Sequence, residues 1–150
     1  MTVRALLDSN VMIAAIEEEH KHHRASSTLI NSCPDKTFAV AAHSVAETYS
    51  VLTNPALRAP YRWPAREAWV AIEKLLSVTV VVGLTHGASL QAIRAFAAED
   101  RVGPLLYDRL IGEAAIRNGI GCILTWNVKH MRGLFPNLIV SDPASFGAEL

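Results

Sequence analysis

The sequence has few cysteines, no excess of charge of one sign and no long hydrophobic run. Its two cysteines, Cys33 and Cys122, form neither a zinc-ligand pattern nor a disulfide framework, so we expect a reduced, cytoplasmic protein. Fourteen Lys and Arg balance fourteen Asp and Glu, so bulk charge does not argue for nucleic-acid binding, and a polyanion would need a local basic patch or a metal ion. No apolar segment approaches membrane-spanning length, so we expect no membrane partner.

What the chain does have is enough apolar sequence for one core. It contains 150 residues, of which 51% are hydrophobic and 19% are charged, and no repeat or linker divides it. We therefore predict a single domain over residues 1–150. Short apolar runs that are typical of strands occur at 3–7, 37–41, 78–82, 121–125 and 138–140. Because amphipathic segments separate them, the pattern predicts an α/β fold with a central parallel sheet flanked by helices on both faces.

The segments between the strands predict helices and the faces that they bury. Helices are expected at 11–20, 21–32 and 107–118, and after strand two a helical face carries Val45, Tyr49 and Leu52. Two further helices are expected after Pro64 and after Thr85, which suits a helix N-cap. Their predicted buried stripes are Ala65, Trp69, Ile72 and Leu76 in the first, and Leu90, Ile93 and Ala97 in the second.

Four polar residues lie where strands end or where the following helices begin. Asp8 follows the first strand, Glu47 lies in the helix after the second, Asp108 opens a later helix, and Asn127 follows the strand that ends at Thr125. Ligands bind beyond the carboxyl ends of the strands in parallel sheets, so these side chains are expected to converge. Carboxylate and amide oxygens are the ligands that Mg²⁺ or Mn²⁺ accepts.

Each of the three acids also has a structural interpretation. Asp8 suits the N-cap of the next helix. Ser44 and Glu47 match the spacing of a capping box, in which the acid binds the backbone at the helix start. Asp108 lies in a first helical turn, where a negative charge favours the helix dipole. Taken singly each acid favours the structural interpretation, and only their shared position after strands favours a site.

Four segments in this order resemble the PIN-domain family, and within it the VapC-type toxins of bacterial toxin–antitoxin pairs. The segments are Leu6-Leu7-Asp8-Ser9-Asn10-Val11, Ser44-Val45-Ala46-Glu47-Thr48-Tyr49, Tyr107-Asp108 with the helix behind it, and Leu124-Thr125-Trp126-Asn127. The resemblance implies a PIN fold, a homodimer and a cognate VapB-type antitoxin. It also implies metal-dependent endoribonuclease activity, in which water hydrolyses a phosphodiester bond of an RNA substrate.

The resemblance also assigns roles to residues. By position, Asp8, Glu47 and Asp108 match the family's acidic Mg²⁺ (or Mn²⁺) ligands, and Asn10 and Thr125 match the small polar residues that support them. Asn127 matches a fourth catalytic position, where many members carry Asp. Its amide brings no charge and cannot act as a base, and His130 stands where some relatives have another acid, so metal binding is expected to be weaker or to favour Mn²⁺.

Basic residues near these positions are candidates for RNA binding. Arg62 and Arg66 belong to a basic, aromatic loop with Trp63, which suits either unpaired RNA or ordinary packing at a helix entry. Lys129 and His130 form a second cluster beside the proposed site, for which a solvated turn is the alternative. Arg109 suits either an ion pair with an acid or a contact with RNA phosphate. The run of three histidines at 20–23 lacks a completing ligand and is interpreted as a polar connection between helices.

Three whole-protein hypotheses follow. The first is a metal-dependent endoribonuclease toxin. The second is a PIN-like RNA-binding or scaffold protein with weak or lost activity, for which Asn127 is the only sequence support. The third is a haloacid-dehalogenase-like phosphohydrolase with Asp8 as nucleophile. That chemistry needs a second Asp two residues later, where this sequence has Asn10, so the third hypothesis ranks last.

Overall fold

The structure is a computed structural model and describes residues 2–150. The chain forms five strands and eight helices within these residues. Their order along the chain is β1 (Ala5–Leu7), α1 (Ser9–Ile16), α2 (His23–Ser32), β2 (Phe38–Ala41), α3 (Ala42–Thr53), α4 (Ala65–Leu76), β3 (Val80–Val82), α5 (His86–Ala98), α6 (Leu105–Arg117), β4 (Cys122–Leu124), α7 (Val128–Leu134), β5 (Ile139–Ser141) and α8 (Pro143–Ala148).

The five strands form one sheet in the order β3-β2-β1-β4-β5, and every neighbouring pair is parallel. This confirms the predicted α/β fold. The strand order reverses between β1 and β4, which creates the crevice where parallel sheets bind ligands. Leu7 pairs with Leu124 in the register of these two strands. The residues that follow, Asp8 and Thr125, therefore emerge side by side at the carboxyl edge of the sheet.

The core lies on both faces of the sheet because successive side chains of the central strands point in opposite directions. Leu7 and Leu124 pack into one cluster with residues of α1, α2 and α8. Leu6 and Ile123 pack into another cluster with residues of α6 and α7. All four of these side chains are fully buried. This explains why the central strands read as continuous apolar runs, and it confirms that helices cover both faces.

The two predicted helix stripes are partly wrong. Helix α4 buries Ala68, Ile72 and Leu75, while Trp69 is 45% exposed. Helix α5 buries Ala92 and Phe96, while Leu90 and Ile93 lie at 64% and 41% exposure. Each helix thus turns a different set of residues toward the core from the one that the hydrophobic pattern suggests. Strand β3, at the sheet edge, likewise leaves half of Val81 exposed.

The cap of α5, helix α7 and the lengths of the helices are the remaining local features. Thr85 caps α5 through a 3.1 Å hydrogen bond that its hydroxyl accepts from the backbone of Ala88, as predicted. Helix α7, which carries Lys129 and His130, is a difference from the sequence-based expectation, because that segment suggests only a basic cluster or a turn. Within residues 2–150, no helix has both the length and the apolar character needed to cross a membrane.

Candidate active site

Asp8 lies at the centre of the candidate site. Its carboxylate caps α1 by accepting a 2.7 Å hydrogen bond from the backbone of Ser9 at Oδ1. Its other oxygen, Oδ2, accepts a 2.8 Å hydrogen bond from the Thr125 hydroxyl. The residue is only 4% exposed. Asp8 therefore caps a helix, as its structural interpretation predicts, and also holds a buried carboxylate at the β1–β4 crevice, where its role in a site stays a prediction.

Thr125 and Asn10 form the network that holds Asp8. The Thr125 hydroxyl accepts hydrogen bonds from Asn10 Nδ2 at 3.1 Å and from the backbone of Asn127 at 3.0 Å. Asn10 Oδ1 in turn accepts from the backbone of Trp126 at 3.0 Å. Because Thr125 is fully buried and uses its donor and acceptor capacity here, it fixes one orientation of the Asp8 carboxylate.

Glu47 lies in the interior of α3 and does not cap it. The helix begins at Ala42, with Ala41 as its N-cap and no side-chain cap, so the predicted capping box of Ser44 and Glu47 is wrong. The Ser44 hydroxyl is buried without a partner instead. The structural interpretation of Glu47 thereby loses its support. One of its carboxylate oxygens, Oε1, is buried and has no hydrogen-bond partner.

Asp108 lies in the first turn of α6 and is partly buried. Burial raises its pKa first, and the negative charge of Asp8 raises it further, while the neighbouring His130 lowers it. The charges of Asp8 and of His130, from α7, therefore both act on Asp108, although the three residues lie on different elements.

The three acids act on one another electrostatically. The pKa of Asp8 is raised mainly by burial, against the hydrogen bonds from Thr125 and Ser9. The pKa of Glu47 is raised by burial and then by the charges of Asp8 and Asp108. Repulsion between carboxylates favours either proton binding or a nearby cation. The charge of Asp8 thus acts on both Glu47 and Asp108, and the charge of Asp108 acts on Glu47.

The donor set fits a hard divalent cation. All three side chains offer carboxylate oxygens, and Oε1 of Glu47 accepts no hydrogen bond within the protein. As they stand, no three Asp, Glu, His or Cys side chains within residues 2–150 are arranged closely enough to hold a metal ion. Shared ligation would therefore bring the Asp8, Glu47 and Asp108 carboxylates closer together, against the repulsion that a cation would remove.

Asn127 is attached to the site through its backbone. It precedes α7, is exposed, and makes no side-chain cap hydrogen bond. Its backbone N–H donates to Thr125, which is the same hydroxyl that supports Asp8. The predicted catalytic role of its amide is not tested by this geometry and stays a prediction.

His43 is a site residue that the sequence analysis missed. It lies one turn before Glu47 on α3, with Nε2 3.8 Å from Glu47 Oε1. Burial lowers the pKa of His43, while hydrogen bonding to the Tyr107 backbone and the charge of Asp8 raise it. The sequence could have indicated that His43 lies next to Glu47, because residues at i and i+4 of a helix are neighbours on its surface.

Arg109 is not available to RNA in this structure. Its side chain is buried and donates a 2.6 Å hydrogen bond to Glu99, and its guanidinium lies over the rings of Phe96 and Phe135 at 5.7 and 5.9 Å. Of the two alternatives that the sequence left open, the ion pair with an acid is therefore the one that forms. The RNA-binding assignment of Arg109 is corrected accordingly.

The basic loop also contains a residue that packs. Trp63 packs against the core residues of α3 and α4 and donates a 2.6 Å hydrogen bond from Nε1 to the buried carboxylate of Glu17. Of the two alternatives for the loop, Trp63 therefore adopts ordinary packing at the entry of α4. Arg62 and Arg66 remain exposed on either side, as do Lys129 and His130. These four stay candidates for RNA contacts.

The histidine run forms a structural connection, as interpreted from the sequence. The ring of His22 stacks on Trp126 with centroids 3.7 Å apart, and His23 Nδ1 lies 2.8 Å from the carbonyl oxygen of Ala14. His20 Nδ1 accepts a 3.0 Å hydrogen bond from the backbone of His22. Each imidazole therefore has a contact within the protein.

Comparisons with known proteins agree with the observed fold. A family model described as PIN domain matches residues 5–130. Among solved structures, VapC20 of Mycobacterium tuberculosis, described as a sarcin-ricin loop cleaving toxin, has 18% identity over 86% of this chain and 94% of its own, with a TM-score of 0.67. DNA-bound VapBC of Salmonella typhimurium has 19% identity over 95% of this chain and 99% of that chain, with a TM-score of 0.66. PAE2754 of Pyrobaculum aerophilum has 16% identity over 99% of this chain and 96% of its own, with a TM-score of 0.65. No curated protein has a significant sequence match to the chain.

Proposed function

The chain belongs to the PIN-domain family, and we propose that it is a metal-dependent endoribonuclease, the toxin of a bacterial toxin–antitoxin pair. The observation that carries this proposal is the set of like charges that Asp8, Glu47 and Asp108 bring to the candidate site. Beyond the effect of burial, the charge of Asp8 raises the pKa of Glu47 and of Asp108, and the charge of Asp108 raises the pKa of Glu47. Like charges that act on one another cost stability when no cation is bound, and such groups are typical of functional sites.

The structural neighbours support the choice of substrate and partner. VapC20 is described as a toxin that cleaves the sarcin-ricin loop, and other neighbours are toxin–antitoxin complexes, including VapBC bound to DNA. We extend these properties to this chain as proposals: an RNA substrate, a VapB-type antitoxin and a homodimeric toxin. A cytoplasmic location follows from the same proposal, since the substrate RNA and the antitoxin are found there.

In the proposed reaction, Asp8 and Asp108 would hold Mg²⁺ or Mn²⁺, and Glu47 would either ligate the ion or orient the attacking water. A bound ion would neutralise developing charge and lower the pKa of water. Thr125 and Asn10 keep the Asp8 carboxylate in one orientation, so the approach that shared ligation requires would come mainly from Glu47 and Asp108. Hydrolysis leaves a 5′-phosphate and a 3′-hydroxyl.

The exposed basic residues are proposed to bind the RNA backbone. Lys129 and His130 lie on α7, and the charge of His130 acts on Asp108. Arg62 and Arg66 flank the start of α4. Because the net formal charge is zero, such local cations are the means by which this chain would hold phosphate groups. Their removal is expected to weaken substrate binding and to leave the chemical step largely unchanged.

A cleavage assay tests the proposal. The purified chain is incubated with ribosomal RNA, transfer RNA and unstructured RNA, with Mn²⁺ or with EDTA, beside the Asp108→Asn variant. We expect cleavage of at least one RNA that EDTA abolishes, with 5′-phosphate ends mapped on the products. Asp108→Asn should lose this activity while keeping the wild-type circular dichroism spectrum. Absence of EDTA-sensitive cleavage in every RNA, or full activity of Asp108→Asn, would rule the proposal out.

A further inference from the structure

The side chain of Trp126 joins the segment that follows β4 to helix α2. Its indole Nε1 donates a 2.9 Å hydrogen bond to the hydroxyl of Ser26, a fully buried residue of α2. Its ring stacks on the imidazole of His22, the N-cap residue of α2, with centroids 3.7 Å apart and planes 5° from parallel. Helix α2 and its N-cap residue therefore hold both the polar edge and one face of the indole.

The backbone next to this indole supports the network around Asp8. The N–H of Trp126 donates to Asn10 Oδ1 at 3.0 Å, and the N–H of Asn127 donates to the Thr125 hydroxyl at 3.0 Å. Asn10 Nδ2 donates to the same hydroxyl at 3.1 Å. This hydroxyl in turn donates to Asp8 Oδ2. Both groups that donate to the Thr125 hydroxyl thus depend on where the peptides of residues 126 and 127 lie.

This segment leaves the sheet before the next helix begins. Thr125 is joined to β5 by a 3.0 Å backbone hydrogen bond to Ser141, and α7 begins only at Val128. The N–H groups of residues 126 and 127 donate to side chains and take no part in a strand or helix ladder. A backbone segment of this kind keeps its position only if side chains fix it, and the indole of Trp126 supplies such an anchor.

We propose that Trp126 is a positioning residue for the candidate metal site. Its indole, anchored on α2, holds the two N–H groups on which the orientation of the Thr125 hydroxyl toward Asp8 depends. This inference rests on the proposed function. Groups that orient a metal ligand from outside the coordination sphere typically change metal affinity or activity by about 10–100-fold. Because Trp126 acts through Thr125, we expect the lower end of this range.

Two competing explanations make different predictions. In the first, the indole only fills space, because Trp126 packs against the core cluster that contains Leu7 and Leu124. Its loss then lowers stability and leaves the affinity for a metal ion unchanged. In the second, the half-buried pair of Trp126 and His22 stacks on an unpaired base of the RNA, and its loss raises KM. Mn²⁺ alone is therefore the probe that separates positioning from both explanations.

The experiment measures the Mn²⁺ dissociation constant by calorimetry, beside unfolding in urea, for Trp126→Leu, Trp126→Phe and the wild type. Ile72→Ala is the matched control, because Ile72 is fully buried between α3 and α4 and its loss destabilises the fold away from Asp8. We expect about tenfold weaker binding in Trp126→Leu. Trp126→Phe keeps a stacking ring and loses the donor, so it should recover to within about threefold of wild type. Ile72→Ala should unfold at lower urea and keep wild-type affinity.

A double-mutant cycle tests the route from the indole to Asp8. Thr125→Val removes the hydroxyl through which Trp126 is proposed to act. In that background Trp126→Leu should weaken Mn²⁺ binding by less than about twofold, because effects within one hydrogen-bond network are not additive. Ser26→Ala removes the acceptor of the indole N–H. It should reproduce the affinity of Trp126→Phe, and the two changes together should weaken binding no further.

The opposite results would overturn the inference. Wild-type Mn²⁺ affinity in Trp126→Leu does so, with lowered stability indicating space filling and a raised KM for RNA indicating base stacking. Full additivity of Trp126→Leu with Thr125→Val does so too, because the indole then acts by another route. If Trp126→Leu does not fold, wild-type affinity in both Trp126→Phe and Ser26→Ala overturns the inference. Absence of saturable Mn²⁺ binding to the wild type instead refutes the proposed function itself, so the two failures are distinguishable.

Discussion

Thr125 donates a 2.8 Å hydrogen bond to Asp8 Oδ2 and so joins the residues that follow β1 and β4. The same two strands are joined by a 2.9 Å backbone hydrogen bond from Asp8 to Leu124. The contact is possible because the parallel register places positions 8 and 125 side by side at the reversal of strand order. The orientation of the central carboxylate is therefore set by the sheet itself.

Removing the Thr125 hydroxyl should shift the pH dependence of cleavage. The hydrogen bond from Thr125 lowers the pKa of Asp8, so its loss in Thr125→Val leaves that pKa higher. Less Asp8 is then ionised at any acidic pH, and the acidic limb of the pH–rate profile moves to higher pH. We expect activity at pH 7 to fall about tenfold, in line with the loss of a buried hydrogen bond to a charged group. Thr125→Ser keeps the hydroxyl and should behave as wild type, and an unshifted profile in Thr125→Val would refute this role of the hydroxyl.

The repulsion among the acids should appear in metal-free stability. The pKa of Glu47 is raised in the folded protein, so its ionised form costs stability once the pH rises above the unfolded value of 4.5. In EDTA at pH 7, Glu47→Gln should therefore melt higher than wild type, by roughly 1–3 °C because the side chain is partly solvated. Below pH 4.5 the difference should vanish. Glu113→Gln, on α6 away from the site, should change nothing, and an equal gain in both variants would speak against repulsion at the site.

Trp63 should matter for stability more than for RNA binding. Its indole donates to Glu17, which is 4% exposed. Trp63→Phe leaves that buried carboxylate without the donor, which costs roughly 1–3 kcal/mol of unfolding free energy in urea denaturation. Trp69→Phe changes a 45% exposed residue and should stay within about 0.5 kcal/mol of wild type. A raised KM with unchanged stability in Trp63→Phe would instead mean that the indole stacks on a base.

Close packing of α6 against the segment after α7 depends on Gly112. A Cβ atom at this position would overlap the ring of Phe135. Gly112→Ala should therefore destabilise the fold by roughly 1–3 kcal/mol, the usual cost of overpacking. Gly133, in α7, has open space where a Cβ atom would lie. Gly133→Ala should be neutral or stabilise by roughly 0.5–1 kcal/mol, the gain in helix propensity. Equal changes in the free energy of unfolding in urea for the two variants would show that overlap with Phe135 is not what destabilises Gly112→Ala.

The position of Asp8 was predictable because parallel strands end at one edge of a sheet, and a side chain that follows a strand lies at that edge. Asp108 lies in a helix that follows α5 and a loop, so this rule did not place it. The resemblance implied a supporting role for Thr125. That its hydroxyl donates to Asp8 follows from the register of β1 and β4, which periodicity alone does not give. The ion pair of Arg109 with Glu99 was one of two open alternatives, because residue types do not say which of two anions a guanidinium binds.

Other features depended on packing that a single sequence does not reveal. The start of α3 at Ala42 places Ser44 inside the helix, so a pattern that matched a capping box had no cap to form. Helix α5 leaves Leu90 and Ile93 exposed because it turns Ala92 and Phe96 inward. His43 was missed because a single histidine in an apolar stretch gives no sign of what its ring faces.

Metal binding tests the central claim most directly, namely that Asp8 and Asp108 share one divalent cation. Isothermal titration of Mn²⁺ into the metal-free wild type, Asp8→Asn and Asp108→Asn measures this without RNA. We predict one saturable site per chain in the wild type and at least tenfold weaker binding in each variant, with all three proteins folded. Wild-type affinity in both variants, or no saturable binding to the wild type, would contradict it.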